Sequence, residues 1–246
     1  MSMCSDCIKV VIHEGTPTGS HTKIHGVDCY VAEPSGDYPK DKVLLFLTDA
    51  FGIQLSNNLL LVDAFANNGY KTVLMDYFQG DMPTTNYATT NFDINAWKDR
   101  HGQEATRPII DKVIQGLKAE GVSRFAATGY CFGGRYVFDL AFDGVISVAV
   151  TAHPSLLEFP TDFEAYTSKA TAPLLINSAE IDRLFPKEIH ERVDAIFEGF
   201  KPGYKRTYFE GCKHGFAVRG DVSDPTVKAA KEGAFAESIK WLNEYF

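Results

Sequence analysis

The sequence predicts an α/β protein in which helices cover both faces of a mostly parallel sheet. Short apolar runs alternate along the chain with longer segments of helical periodicity, which is the pattern of repeated strand–helix units. No Ser/Gly-rich linker, internal repeat or low-complexity stretch interrupts this alternation. We therefore expect a single domain over residues 1–246, a length that is ordinary for one α/β domain.

Strands are predicted where a short apolar or β-branched run is bounded by turn residues. In chain order these runs are residues 42–48, 71–76, 123–128, 145–152, 174–178 and 204–209. The segment 22–32 differs, because its Val27, Cys29 and Val31 alternate with other residues. This alternation is typical of an antiparallel edge strand or hairpin.

Helices are predicted between these strands, and two of them carry clear end signals. The predicted helices cover residues 56–68, about 104–120, a segment that starts near 135, about 187–197 and about 225–245. Ser56 is the expected N-cap of the first helix, and Gly69 and Gly121 are expected stops. Residues 78–92, rich in Gly, Pro, Thr and Asn, follow a strand and are expected to form part of a pocket wall.

Composition excludes several functional classes. A formal net charge of −8 argues against a nucleic-acid partner, and no run approaches the ~18 apolar residues of a membrane span. The N-terminal residues lack a basic segment followed by an apolar core, so no secretory signal is predicted. The odd number of cysteines, 5, suits a reducing compartment. We therefore expect a cytoplasmic protein.

Residues 129–134, Gly-Tyr-Cys-Phe-Gly-Gly, form the most informative motif of the chain. A strand-like run precedes the motif and a helix-like run follows it, so Cys131 lies on a sharp strand-to-helix turn. Gly129 and Gly133 are expected to be glycines because a side chain at either position would collide with a neighbouring strand or helix. Such a turn holds a nucleophile at the carboxyl end of the sheet, near the positive end of the helix. A buried structural cysteine is the alternative.

A nucleophile of this kind needs a base and an orienting carboxylate, and both candidates lie downstream. Asp182 follows the predicted strand 174–178, and His214 follows the predicted strand 204–209. The order Cys, Asp, His is the order of the triad in α/β-hydrolases. Glu180, two residues before Asp182, is not excluded by spacing alone. The sequence therefore favours a catalytic triad over a structural cysteine.

These residues resemble the dienelactone hydrolase (carboxymethylenebutenolidase-like) family of α/β-hydrolases, and its fungal branch in particular. The resemblance rests on residues 15–17, 49–53, 129–134, 179–182 and 214–217 and on a Trp-x-x-x-His element at 97–101. It implies an α/β-hydrolase fold with Cys131, Asp182 and His214 as the catalytic triad. It also implies a cysteine hydrolase of small esters or lactones that forms a covalent acyl-enzyme, and we expect neither a metal nor a cofactor.

Acyl transfer also requires backbone N–H groups that hold the developing oxyanion. In this fold one donor is the N–H of the residue after the nucleophile, here Phe132. The resemblance assigns the second N–H to Ala50. Asp49 occupies the place of a family glutamate that is thought to contact the resting thiol and to assist in forming the thiolate. A turn-capping role for Asp49 is the alternative.

Several side chains near the predicted carboxyl ends are candidates for substrate binding. They are Phe51, Trp97, Arg100, His101 and Arg219. Any of the arginines, or Arg107, could hold a substrate carboxylate, and a surface salt bridge is the alternative for Arg219. His153 is expected to line the cavity without acting in the reaction.

Two other functions are retained beside the hydrolase. The first is a catalytically weak scaffold that binds a small acidic metabolite, and the second is a redox-responsive protein whose Cys131 thiolate is oxidised reversibly. Cys212 is considered as an oxidation partner of Cys131. Cys4 and Cys7 lack a second ligand pair, so a structural or incidental role is expected for them. The chain is expected to be a monomer or a homodimer.

Overall fold

The computed structural model describes residues 10–84 and 92–246, and an eight-stranded sheet runs through this part of the chain. The strands are β1 (Ser20–Ile24), β2 (Val27–Ala32), β3 (Lys42–Leu47), β4 (Thr72–Met75), β5 (Arg124–Tyr130), β6 (Val148–Ala152), β7 (Leu174–Ile181) and β8 (Tyr204–Lys213). Their order across the sheet is β1-β2-β4-β3-β5-β6-β7-β8. Only the β1–β2 and β2–β4 pairs of this sheet are antiparallel. The predicted hairpin and the mostly parallel sheet are confirmed.

Helices flank the sheet along the described residues. They are α1 (Ser56–Asn67), α2 (Ile94–Arg100), α3 (Gln103–Ala119), α4 (Gly133–Phe142), α5 (Thr161–Lys169), α6 (His190–Ile196), α7 (Phe216–Arg219) and α8 (Pro225–Tyr245). The predicted helices correspond to α1, α3, α4, α6 and α8, whereas α2, α5 and α7 were not predicted. None of the helices in the described ranges combines the length and the apolar character that crossing a bilayer requires.

The helices lie on both sides of the sheet, as predicted, and strand β3 shows why. Its side chains alternate between the two faces, as in any strand. Val43 and Leu45 belong to one apolar core, with α3 and α4, whereas Leu44 and Phe46 belong to the other, with α1 and α8. A strand that is buried on both faces needs apolar residues at successive positions, which explains the continuous apolar run at residues 43–47.

The start of α1 corrects one prediction. Ser56 is not the N-cap, because Leu55 has the extended backbone of a cap residue and Ser56 is the first helical residue. A 3₁₀ turn, Gly52–Gln54, leads directly into the helix and buries the Leu55 side chain. In the described part of the chain no side chain caps this helix end. Gly69, in contrast, follows the end of α1 with a φ of +98°, as expected of a glycine stop.

The sheet order brings five strand-following segments to one edge. Strands β3, β5, β6, β7 and β8 are consecutive neighbours and parallel, so their carboxyl ends point the same way. The segments that follow them contain Asp49, Cys131, Ser155, Asp182 and His214 respectively. Ligands of open α/β sheets bind at this carboxyl edge, so the candidate site is sought there. Residues 85–91, which belong to the irregular stretch predicted as pocket wall, lie outside the described residues.

Candidate active site

Cys131 lies on a strained turn between β5 and α4. Its backbone φ is +50°, a conformation that residues other than glycine rarely adopt. A Cβ at Gly129 would lie 2.5 Å from Cγ2 of Val137 in α4, and one at Gly133 would collide with the Leu47 carbonyl of β3. Both positions therefore require glycine for the steric reason predicted from the sequence.

Asp182 and His214 form a buried hydrogen-bonded pair beside this turn. Oδ2 of Asp182 lies 2.8 Å from Nδ1 of His214, and both side chains are fully buried. The other carboxylate oxygen of Asp182 accepts hydrogen bonds from the N–H groups of Leu184 and Phe185. These bonds fix the orientation of the carboxylate and hence of the imidazole.

Glu180 makes different contacts from Asp182. Its carboxylate pairs with Lys187 at 3.1 Å and accepts a hydrogen bond from the Gly211 N–H at 2.8 Å. That N–H bond, followed by Tyr208 and Lys187, lowers the pKa of Glu180 to about 2. Of the two carboxylates left open by spacing, Asp182 is the one that contacts the histidine.

The thiol of Cys131 and the ring of His214 shift each other's pKa. Burial alone would raise the pKa of Cys131, but the charge and hydrogen-bonding capacity of His214, together with the charge of Arg219, lower it overall. Burial would likewise lower the pKa of His214, yet Cys131 and Asp182 raise it well above its usual value. The charge of His214 lowers the pKa of the thiol more than its hydrogen-bonding capacity does, and Nε2 of His214 has no hydrogen-bond partner among the described residues. The two shifts together favour a thiolate beside an imidazolium.

Ala50 and Phe132 are the residues expected to supply the oxyanion N–H groups, and Phe132 directly follows Cys131. In the described part of the chain neither N–H donates a hydrogen bond to another protein atom, whereas the neighbouring Gly133 N–H is bound to the Thr48 carbonyl at 3.0 Å. The two residues follow β3 and β5, which are adjacent strands. Two N–H groups without protein acceptors near a nucleophile are what an oxyanion site requires.

A cluster of aromatic side chains holds Phe132 in place. Its ring lies 5.0 Å from that of Phe78 and 5.9 Å from that of Trp97. The Trp97 indole is fully buried and donates a hydrogen bond to the Asp81 carbonyl. Trp97 was predicted to bind substrate, but here it packs behind Phe132 and supports the backbone of the proposed oxyanion donor.

Asp49 and Arg219 form a buried ion pair next to the thiol. Oδ2 of Asp49 lies 2.6 Å from Nη1 of Arg219, and their side chains are 0% and 2% exposed. The second carboxylate oxygen accepts hydrogen bonds from the N–H of Phe51 and from the side chain of Asn58. The contact with Phe51 is the turn-capping role that was left open for Asp49. The thiol of Cys131 is not among these hydrogen-bond partners, and the charge of Asp49 raises the pKa of that thiol.

The burial of Arg219 corrects the surface salt bridge considered from the sequence. The guanidinium lies within the protein, with its carbon atom 5.5 Å from the centre of the Phe51 ring. The sequence could not indicate this burial, because Asp49 and Arg219 are 170 positions apart. Phe51 is buried as well.

Two consecutive asparagines in α1, which sequence reasoning missed, bond to Asp49 and to the residue before Arg219. Asn58 donates hydrogen bonds to the Asp49 carboxylate and to the Gly52 carbonyl. Asn57 donates to the carbonyls of Val218 and Val11, so it ties the residue before Arg219 to the N-terminal segment. Both asparagines are fully buried. Their positions inside a predicted helix were the only available signal, since buried amides require partners.

The remaining arginine candidates form ion pairs with carboxylates other than Asp49. Arg100 and His101 both contact the Asp81 carboxylate, at 3.0 and 2.9 Å. Arg107 bridges Asp111 and Asp143 on the surface of α3 and the end of α4. The structure therefore brings Arg219, but not Arg100 or Arg107, to the group of residues around Cys131.

The segment after β6 supplies two further residues that contact Cys131 or His214. The His153 ring is fully buried, and its centre lies 5.0 Å from the centre of the His214 ring. Burial, followed by the positive charges of His214 and Arg219, holds the pKa of His153 well below its usual value, which favours the neutral imidazole. Ser155 places its hydroxyl oxygen 3.8 Å from the sulfur of Cys131. No sequence signal pointed to Ser155, because serine is common in loops.

The described residues contain no cluster of three or more His, Cys, Asp and Glu side chains that could hold a metal ion. Parallel strands with a strained cysteine turn after β5, an acid after β7 and a histidine after β8 define an α/β-hydrolase fold.

Comparison with known proteins agrees with this class. The model of the dienelactone hydrolase family matches residues 27–246. Dienlactone hydrolase 1 of Gibberella moniliformis is 36% identical over 245 residues, which cover 96% of this chain and 92% of that protein. Hydrolase pyvD of Aspergillus violaceofuscus is 34% identical over 244 residues, which cover 97% and 95%. The chain belongs to the dienelactone hydrolase family and is a hydrolase of the class that cleaves ester and lactone bonds.

A solved structure supports the fold. A crystal structure from Klebsiella pneumoniae, described as a dienelactone hydrolase, superimposes with a TM-score of 0.74 at 18% identity. The superposition covers 93% of this chain and 99% of that one. The predicted family and fold class are confirmed.

Proposed function

We propose that this protein hydrolyses small esters or lactones through Cys131, which forms a covalent acyl-enzyme. The observation that carries the proposal is the arrangement of three side chains on one sheet edge. Cys131 lies on a strained turn, and His214 is held by Asp182 at 2.8 Å, so that each of Cys131 and His214 stabilises the charge of the other. A nucleophile, a base and an orienting acid in these relations are the minimum for nucleophilic catalysis.

The first half of the reaction forms the acyl-enzyme. The Cys131 thiolate attacks the acyl carbon, a C–S bond forms, and the carbonyl electron pair moves to the oxygen. The N–H groups of Ala50 and Phe132 hold this oxyanion. Collapse of the adduct breaks the C–O bond, and the His214 imidazolium gives its proton to the departing oxygen.

The second half regenerates the thiolate. Neutral His214 removes a proton from a water molecule, which attacks the thioester and forms a second oxyanion. Collapse then breaks the C–S bond and releases the carboxylic acid, while the thiolate and the imidazolium are restored. Asp182 remains ionised throughout and keeps Nδ1 of His214 as the protonated nitrogen.

The chemistry of a thiolate limits the substrate class. A thiolate of lowered pKa is a good leaving group, so it returns from the tetrahedral adduct of an amide before the amine departs. Esters of acidic alcohols, enol lactones and thioesters lose their leaving group more readily. We therefore propose these activated acyl compounds as substrates, and not peptides.

The Asp49–Arg219 pair constrains any role for a substrate carboxylate. An anionic substrate that approaches Arg219 would have to compete with Asp49, which is already bound at 2.6 Å in a buried setting. We propose that Arg219 mainly neutralises Asp49 beside the thiol, so that the negative charge of Asp49 does not prevent thiolate formation. Asp49 in turn caps the turn that presents the Ala50 N–H.

The cysteines support a reducing compartment such as the cytoplasm as the site of action. Cys29, Cys131 and Cys212 are free thiols in the described part of the chain. A nucleophilic thiolate is inactivated by oxidation, so a compartment that keeps thiols reduced suits the mechanism.

The test is turnover of a panel of aryl esters, enol lactones and thioesters by the purified protein, followed by intact-mass and peptide analysis of the trapped enzyme. We expect hydrolysis of activated substrates and an acyl group on Cys131. Cys131→Ala should abolish turnover. Cys131→Ser should retain a trace at most, because a serine hydroxyl is far harder to deprotonate than a thiol.

Cys212→Ser is the matched control, because Cys212 is a buried thiol two residues before His214. It should leave turnover nearly unchanged and acquire no acyl group. Turnover that survives in Cys131→Ala, or an acyl group found on another residue, would overturn the proposal.

A further inference from the structure

The loop after β6 is built against the Cys131 turn. The Cys131 N–H donates to the Ala152 carbonyl at 3.2 Å, and the Ser155 N–H donates to the Cys131 carbonyl at 3.0 Å. On the other side, the His153 N–H donates to the Asn177 carbonyl of β7 at 2.9 Å. Because these bonds bind the loop to the turn from both ends, the position of Ser155 relative to Cys131 is set by the backbone.

The loop carries backbone strain on both sides of Ser155. His153 has a φ of +40° and Leu156 a φ of +63°, although neither residue is a glycine. Pro154 lies between His153 and Ser155 and leaves no room for a side chain at Gly134, where a Cβ would approach the proline Cβ to 2.7 Å. Two strained residues within four positions persist only where the surroundings impose them, and such strain is concentrated at functional sites.

The strained loop brings the Ser155 side chain into contact with the Cys131 sulfur. The Ser155 side chain is buried, and its hydroxyl oxygen lies 3.8 Å from the Cys131 sulfur. No other hydrogen bond of this hydroxyl occurs within the described residues. A buried hydroxyl that faces a single polar atom, the sulfur, has its proton available for that atom.

We propose that Ser155 is a further catalytic residue, whose hydroxyl donates a hydrogen bond to the Cys131 thiolate. The serine keeps its proton throughout, so it acts neither as an acid nor as a nucleophile. A thiolate has lone pairs and no proton, so within the Ser155–Cys131 pair the hydroxyl must be the donor once the thiol is ionised. Hydrogen bonds to an ionised group are stronger than those between neutral groups.

The proposed bond acts at two points of the cycle. In the resting enzyme it adds to the stabilisation of the thiolate by the His214 imidazolium. In deacylation the C–S bond breaks and negative charge returns to the sulfur, where the Ser155 hydroxyl stabilises it. While the sulfur is acylated, the hydroxyl has no anion to bind, so the bond stabilises the leaving thiolate more than the thioester.

The test is the pH dependence of Cys131 alkylation by iodoacetamide in Ser155→Ala. Loss of a donor to the thiolate should raise the pKa of Cys131 by about one unit, which is a tenfold fall in the thiolate-to-thiol ratio below that pKa. The value of kcat/KM should fall by up to about tenfold below the raised pKa and recover above it. Ser155→Thr retains a hydroxyl and should restore the wild-type profile.

The matched control is Ser147→Ala, because Ser147 precedes β6 and its hydroxyl bonds to the Phe125 carbonyl at the opposite end of the strand. It should leave the Cys131 profile unchanged. If Ser155→Ala does not fold, Ser155→Gly removes the same hydroxyl. An unchanged profile in a folded Ser155 variant overturns the proposal, and so does a lowered Cys131 pKa, which would mean that the hydroxyl accepts from the neutral thiol.

The role assigned to Ser155 rests on Cys131 as the nucleophile of the proposed function, but the two can fail separately. Alkylation reports the Ser155–Cys131 contact whether or not an ester is hydrolysed. A shifted alkylation profile in a protein without esterase activity would retain the contact and remove the proposed function. Turnover through Cys131 with an unshifted alkylation profile in the Ser155 variant would retain the proposed function and remove the role of Ser155.

Discussion

Replacing Arg219 by methionine tests the buried ion pair beside the thiol. Methionine keeps an unbranched side chain of similar reach but removes the charge. Asp49 would then remain fully buried, and its partners among the described residues would be the Phe51 N–H and the Asn58 amide, both at 3.2 Å. Removing one partner of a buried ion pair costs about 3–5 kcal/mol, because the other charge is left uncompensated. We expect a loss of unfolding free energy in this range.

The assay is denaturant unfolding at neutral pH, followed by circular dichroism, of wild type, Arg219→Met, Asp49→Asn and the double variant. The double variant contains no uncompensated charge, so it should recover much of the stability lost in Arg219→Met. The coupling energy of the cycle should exceed about 2 kcal/mol. Arg124→Met is the control, because the Arg124–Asp41 pair is 52% and 43% exposed and solvent screening leaves such a pair with little effect on stability.

The pH dependence of Cys131 alkylation tests whether the Asp49–Arg219 pair also affects the thiol. Arg219 is one of the groups that lower the pKa of the Cys131 thiol, so the alkylation midpoint of Cys131 should move to higher pH in Arg219→Met. If Arg219→Met costs no more stability than Arg124→Met and leaves this midpoint unchanged, the role given to the buried pair is wrong.

Three other predictions test the site. Asp182→Asn should lower turnover by about 10⁴-fold, as the wrong histidine tautomer does in triads, whereas Glu180→Gln should have a small effect; the reverse order would assign the role to Glu180. Gly133→Ala should destabilise the fold by about 1–3 kcal/mol through collision with the backbone of β3, while Gly102→Ala, where a Cβ meets open space, should stay within about 0.5 kcal/mol in the same unfolding assay. Because the pKa of Cys131 is lowered, its alkylation should continue as pH falls below the usual thiol range and decline only when pH passes that lowered pKa. Burial raises the pKa of Cys29 to about 12 and that of Cys212 to about 11, so equal labelling of the three thiols at neutral pH would contradict the assignment.

The three residues assigned to the triad could be placed from the sequence because each follows a strand. Strands of this chain are marked by apolar runs, and the carboxyl ends of parallel strands meet at one edge. Cys131, Asp182 and His214 were therefore expected together before any distance was known. The contact at 2.8 Å between Asp182 and His214 agrees with that expectation.

Of the three helices that were not predicted, α2 and α5 were missed because they are short and bury few residues. In α5 only Phe163 and Tyr166 are buried, and in α2 only Trp97. A single buried residue or one pair three positions apart is too little for a periodic pattern. The start of α2 did have a signal, since Asp93 accepts hydrogen bonds from the N–H groups of Asn95 and Ala96 as an N-cap.

The Asp49–Arg219 and Ser155–Cys131 contacts could not be predicted from the sequence for another reason. Each depends on how loops from different strands approach one another, and local propensity carries no information about such distances. The family resemblance drew attention to Asp49 and Arg219 separately, as a thiol partner and a substrate anchor. Their mutual contact at 2.6 Å appears only in three dimensions.

The pairing of β3 with β5 has a consequence for heat resistance. Leu47 pairs with Gly129 in this ladder, and the Gly133 N–H donates to the Thr48 carbonyl just beyond it. The two proposed oxyanion donors, Ala50 and Phe132, therefore follow inner strands of the sheet, whose amides we expect to exchange with solvent only when the sheet unfolds. On warming, the rate of the chemical step should rise without a plateau until cooperative melting begins, so that inactivation and melting follow a single curve.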